Sequence, residues 1–207
     1  MDLPQTLKST HRQEVYAARR ASPMIKTIGH SNHAIERFVD LLKAGGVEAL
    51  VDVRSTPYSR RFPQFGRERL AQSLSAAGIL YRYEGAALGG KPKDGAGYEQ
   101  LAERTEFKDA IDRLIAGSAD TTLCLMCAEK EPLDCHRTVL VSRRLAERGV
   151  EIEHLLADGR HKPHAVLEEE MLAGSKEGLP DLFTTAEDRS QRLARVYRQR
   201  ERDMKRA

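Results

Sequence analysis

The chain has 207 residues, 40% hydrophobic and 31% charged, with a net charge of +3, enough for one core with additional segments. No apolar run approaches the roughly eighteen residues of a membrane span, and the opening stretch MDLPQTLKSTHRQEVYAARRASP is charged throughout, unlike a secretory signal. Three cysteines, an odd number clustered in sequence, speak against a disulfide framework and for a reducing cytoplasm.

In chain order, MIKTIG at Met24–Gly29 reads as a short strand. Apolar residues at Ile35, Phe38, Val39, Leu41 and Leu42 have helical spacing over Ala34–Ala44, and Gly45-Gly46 ends that helix. Val47–Val53 is continuously apolar, as expected of a strand buried on both faces. After the loop RSTPYSRRFPQFG, the spacing predicts a helix over Arg67–Ala77 and a strand over Ile79–Tyr83, followed by the glycine-rich loop GAALGGKPKDGAG. One long helix is predicted over Tyr98–Ala116, a strand over Thr121–Met126, a helix over Thr138–Arg148, a strand over Val150–Leu156 and a helix near Pro163–Leu172. The tail should be helical from Thr184, where TTAE forms a capping box with Glu187.

Strand–helix alternation with short connections predicts an α/β fold, a three-layer domain over residues 24–174 with a mainly parallel sheet of about five strands. Residues 1–23 and 175–207 are expected to be extensions outside the core, the second helical and basic. From Arg189 to Ala207 eight basic residues face only Glu201 and Asp203, so this segment carries +6 and the remainder −3. A solvated helix face and a contact to nucleic acid or another polyanion both fit that charge.

Parallel topology puts all strand carboxyl ends on one edge, where ligands usually bind. The residues following the strands are Gly29, His30, Ser31 and Asn32; Asp52, Arg54, Ser55, Pro57 and Ser59; Leu88, Gly89 and Gly90; Cys127, Glu129, Cys135, His136 and Arg137; and His154 with Asp158, Gly159, His161 and His164. Polar and reactive groups crowd this rim, whereas the helix-to-strand connections are plain. GHSN at Gly29–Asn32, DVRSTPYS at Asp52–Ser59, LGG at Leu88–Gly90, CAEKEPLDCHR at Cys127–Arg137 and HLLADG at His154–Gly159 together resemble the domain of unknown function 488. The resemblance runs from Ile25 to His164 and implies a single α/β domain with a polar pocket built from these motifs; it supplies no reaction.

Three chemistries fit the rim. A zinc or iron site could draw on Cys127, Cys135, His30, His136 or His154. Cys124 and Cys127, three apart on a strand, should point to opposite faces, and the adjacency of Cys135 and His136 should hinder joint ligation. In a thiol enzyme, Cys127 or Cys135 would be the nucleophile, with Cys135 at a helix start beside Arg137 and His136 or His30 as base. An anion site would use the forked donors of Arg54 and Arg137, the hydroxyls of Ser31, Ser55 and Ser59, and close backbone approach at Gly89 and Gly90. Asp52 could be catalytic or pair with an arginine, and Glu129 could be an acid/base or an orienting group. Phe62 and Phe65 could stack a base or anchor a loop, and Tyr81 and Tyr83 read as core or rim. No dinucleotide fingerprint, P-loop or H-E-x-x-H is present.

The leading expectation is an enzyme acting on an anionic substrate, a nucleotide or nucleic acid included. Against it stand a non-catalytic nucleic-acid-binding module using the arginine-rich tail, and a metal sensor. No membrane partner is expected.

Overall fold

A computed structural model describes residues 23–178 and 189–206. Five strands are parallel: β1 (Met24–Gly29), β2 (Ala49–Asp52), β3 (Leu80–Tyr83), β4 (Leu123–Cys127) and β5 (Glu151–Leu155). A short sixth strand, β6 (His161–Pro163), pairs antiparallel to β5, giving the order β3-β2-β4-β1-β5-β6. The α/β class read from the sequence is borne out. Three residues are too few to show a strand period, which is why β6 escaped sequence reading.

Helices cover both faces of the sheet. On one face, α1 (Ile35–Ala44) and α2 (Arg67–Ala76) pack Phe38, Leu41, Leu42, Leu70 and Leu74 against Ile28, Leu50, Cys124 and Met126. On the other, α4 (Tyr98–Glu103), α5 (Thr105–Gly117), α6 (a π-helical turn over Arg137–Ser142 continuing as Arg143–Ala146), α7 (His164–Gly174) and α8 (Arg189–Arg206) cover Ile25, Val51, Leu125, Cys127 and Ile152. The single turn α3 (Gly85–Leu88) lies within the segment expected to be a loop. Cys124 and Cys127 point to opposite faces, as strand alternation requires.

The long helix expected over Tyr98–Ala116 is two helices, broken at Arg104, whose ψ of 142° is extended. The break re-phases the apolar stripe. Buried Tyr98, Leu101 and Ala102 form one set and Phe107, Ala110, Ile111 and Leu114 the next. The five-residue step from Ala102 to Phe107 would place the two roughly 140° apart on a continuous helix. The C-terminal segment, expected to lie outside the core, sends Leu193, Val196 and Tyr197 of α8 into it. The capping box at Thr184 and Glu187 falls outside the described residues. Among the described residues no helix is long and apolar enough to cross a membrane.

The topology opens a crevice beside β4. β4 lies between β2 and β1, and its connection leads to α6 on one face, whereas those of β1 and β2 lead to α1 and α2 on the other. Neighbouring strands whose connections part to opposite faces leave a gap at their carboxyl ends.

Candidate functional site

The loop after β4 is fastened from beneath. Arg137, fully buried, donates from Nη1 to the Glu129 carbonyl at 2.6 Å and from Nη2 to the Lys130 carbonyl at 3.2 Å. Gly29 lets that loop pass: a Cβ there would lie 1.9 Å from the Glu129 carbonyl oxygen. Pairing of β1 with β4 continues past the strands, with His30 N–H on the Cys127 carbonyl and Ser31 N–H on that of Ala128. Arg137 therefore positions the loop and does not reach the pocket, a correction to its expected role in binding an anion.

The loop returns Cys135 beside Cys127. Both thiols donate to Glu129 Oε2 at 3.0 Å, and His136 Nδ1 lies 3.5 Å from Cys127 Sγ and 3.9 Å from Cys135 Sγ. His136 Nε2–H donates to the Val53 carbonyl at 2.8 Å. The expectation that adjacency keeps Cys135 and His136 apart is overturned. Cys135 is extended (φ −138°, ψ 138°) and His136 helical (φ −59°, ψ −25°), and the change between them turns both side chains to one point.

Titration of the thiols is coupled. Burial and the neighbouring Cys135 and Glu129 push the Cys127 thiol well above its ordinary value. Burial acts the same way on Cys135, but the Cys127 hydrogen bond and the Arg137 and His136 charges outweigh it and hold that thiol well below the ordinary value. For His136, burial is outweighed by Cys135, the Val53 carbonyl and Glu129, so its pKa is raised.

Cys127, Glu129 and His136 form part of the lining of a pocket of about 770 Å³ at the crevice. His30, Ser31, Arg54, Ser55 and Ser59 line it as expected. His30 stacks on Phe65 with centroids 4.3 Å apart, donates from Nδ1 to the Ser31 carbonyl and accepts from Arg54 Nη1 at 3.3 Å. Burial pushes its pKa down to about 4, so it is neutral at pH 7. Asp52 is fully buried and holds Arg54 through Oδ1 and Oδ2 at 2.9 and 2.6 Å, with Tyr81 O–H on Oδ2 at 2.8 Å. That settles Asp52 as the support for Arg54, not a pocket group.

Other assignments move. A Cβ on Gly89 would meet Ser55 Oγ at 2.5 Å, and one on Gly90 would meet His136 Cβ and Cγ at 2.5 Å. These glycines let the backbone approach Ser55 and the His136 imidazole, rather than a ligand. His154, a metal candidate from sequence, stands away from the thiols. It is fully buried, with Nδ1 on Thr27 Oγ1 and Nε2 on His164 Nδ1. Sequence reading missed Thr56, Tyr58, Arg61, Lys91 and Lys130 on the pocket wall. Each lies in or next to a quoted motif, so the signal was their position beside the reactive residues.

A second cleft of about 660 Å³ shares Lys91, Glu129 and His136 with the first, and α8 supplies Arg200, Asp203 and Lys205 to its wall. Several tail arginines are already engaged. Arg189 pairs with Glu168 and Glu169, and Arg200 pairs with Asp134 and donates to the Leu133 carbonyl.

Fold and site together define an α/β protein with a thiol–imidazole–carboxylate centre at the switch point of a parallel sheet. The family model described as Domain of unknown function DUF488 matches residues 34–144, more than half of the chain, and the chain belongs to that family. The match includes the DVRSTPYS, LGG and CAEKEPLDCHR motifs; GHSN and HLLADG lie outside it. No curated protein and no solved structure matches the chain.

Proposed function

We propose that this protein is an enzyme acting on a phosphate-bearing substrate of nucleotide type, in a reducing cytoplasm where its three cysteines stay free. The observation that carries the reading is the meeting of a reactive floor with a basic wall: Cys127, Glu129 and His136 line the same pocket as Arg54, Arg61, Lys91 and Lys130, with Glu129 the single carboxylate among the lining residues. The lysines and arginines take the anion. Glu129 and neutral His30 are the proton-transfer groups. Tyr58, 65% exposed on the pocket wall, offers a face on which a base can stack. The second cleft makes a continuous track across the floor, which suits an extended anion better than a compact one.

The test is turnover of a panel of nucleoside phosphates and single-stranded oligonucleotides by the full chain, with binding measured over a salt series. Glu129→Gln should abolish turnover and keep binding. Lys91→Gln and Lys130→Gln should each weaken binding and lower its salt slope by about 1. No turnover and no salt-dependent binding of any of these compounds would overturn the reading.

A second reading, a non-catalytic nucleic-acid-binding module, draws on exposed Arg198, Arg202 and Arg206 of α8. Deleting the tail cannot test it, because Val196 and Tyr197 belong to the core. Reversing the three charges to glutamate can: loss of oligonucleotide binding in that variant, with none in the two lysine variants, would favour the module over the enzyme.

A further inference from the structure

Two buried thiols and a buried imidazole meet the half-buried Glu129 carboxylate at the pocket floor, and both terminal nitrogens of the neighbouring Arg137 guanidinium are held by backbone carbonyls. The donors face a common point: one sulfur each of Cys127 and Cys135 and one nitrogen of His136 all lie within 4.8 Å of one another. A tetrahedral zinc ion with Zn–S bonds of about 2.3 Å and Zn–N bonds of about 2.0–2.1 Å sets adjacent sulfur and nitrogen donors roughly 3.6 Å apart. The two sulfur–nitrogen separations, 3.5 and 3.9 Å, bracket that value.

Two features outside the donor atoms point the same way. Nε2–H of His136 is held by the Val53 carbonyl, so Nδ1 is the nitrogen turned to the sulfurs, the arrangement that orients a metal-bound imidazole. The Arg137 backbone N–H reaches Cys135 Sγ at 3.4 Å, a hydrogen bond of the kind that supports a ligating sulfur. We propose that Cys127, Cys135 and His136 bind one zinc ion, with the Glu129 carboxylate as a fourth, exchangeable ligand on the pocket side. Two thiolates select zinc over magnesium or calcium and balance its charge, which makes burial of the group affordable in solvation terms. Glu129 Oε2, now hydrogen-bonded 3.0 Å from both sulfurs, has to withdraw by about 0.5 Å to take a tetrahedral position. Its exchange for water would leave three protein ligands and an open position facing the pocket. The zinc site stands without the proposed reaction; its use as a catalytic metal rests on that reading.

The test is elemental analysis of the full chain purified without chelator or affinity metal, followed by cobalt(II) titration of the chelator-stripped protein. About one zinc per chain is expected, and the cobalt form should show thiolate-to-metal charge transfer with the intense visible bands of a tetrahedral site. Cys127→Ser and Cys135→Ser should each weaken both, while Cys124→Ser, on the opposite face, should keep them. Because a variant can fail for lack of folding, the wild-type cobalt spectrum decides independently. No bound metal together with no thiolate–cobalt band in the reduced protein overturns the site, and iron at one equivalent overturns the zinc assignment. Zinc without turnover of any phosphate compound would uphold the site and defeat the proposed reaction; turnover by metal-free protein would uphold the reaction and defeat the use of zinc as its catalytic metal.

Discussion

Two buried polar groupings lie on the same face of the sheet, and burial does not tell them apart. His154, His164 and Tyr197 are 0%, 3% and 2% exposed; Cys127, Cys135 and His136 are 2%, 0% and 8%. Their wiring differs. Tyr197 O–H donates to Glu168 Oε1 at 3.0 Å, so it must accept from His164 Nε2–H, which leaves His164 Nδ1 to accept from His154 Nε2–H, and His154 Nδ1 to accept from Thr27. Each neutral ring gives one proton and takes one, in a single direction from β1 to α7 and α8. Every partner is used, and Glu168 is in turn paired with Arg189. At the pocket, two donors converge on one carboxylate oxygen and a nitrogen turns to the same point, beside solvent. A satisfied linear chain is a structural fastening; convergence at a cleft is what a site requires.

The comparison breaks if the fastening is dispensable. His164→Ala should cost about 3 kcal/mol, because it leaves His154 and Tyr197 unpaired as well as a cavity, while the metal content stays unchanged; urea unfolding and elemental analysis check both. A loss below about 1 kcal/mol would remove the relay from the account of stability.

Acid should undo the same relay without mutation. Burial holds the pKa of His154 and His164 below 6.5 in the fold, and that of His30 at about 4. The unfolded chain therefore takes up these protons first. Their contribution is complete above about pH 6.5 and is lost as the pH falls toward the folded values. Urea midpoints should fall steadily from pH 6.5 to 5; a midpoint unchanged over that range would contradict neutral, fully paired imidazoles.

Tyr197→Phe removes one hydroxyl and should cost about 1–2 kcal/mol in the same assay. The smallest change in stability is expected at the pocket: Glu129→Gln should shift unfolding by less than about 1 kcal/mol, because its side chain is half-buried and keeps an oxygen for one thiol. A large loss there would make Glu129 part of the fastening and not of the site.

Much of this architecture could be read from the chain. Strand–helix alternation located the five parallel strands, and the signal was plainest for β2 and β4, because strands covered on both faces need side chains apolar on both sides. The fate of Cys124 followed from alternation alone. The convergence of Cys135 and His136 did not, since it depends on two consecutive residues adopting extended and helical backbones, a change that no residue spacing reveals. Arg137 looked like an anion ligand because a guanidinium beside thiols suggests one; only the path of the Glu129–Lys130 backbone shows where its donors go. The packing of α8 had a readable sign in Leu193, Val196 and Tyr197, spaced i, i+3, i+4, but the surrounding arginines drew attention to charge. The relay through His154 required knowing that α7 docks beside β5 and α8 beside α7.

The most direct measurement is zinc K-edge X-ray absorption on the full chain purified without chelator. The account predicts two sulfur scatterers at about 2.3 Å and two nitrogen or oxygen scatterers at about 2.0–2.1 Å, with one sulfur lost in Cys135→Ser. A shell of nitrogen and oxygen alone, or the absence of bound zinc, would contradict the assignment of Cys127, Cys135 and His136 as the metal-binding floor of the pocket.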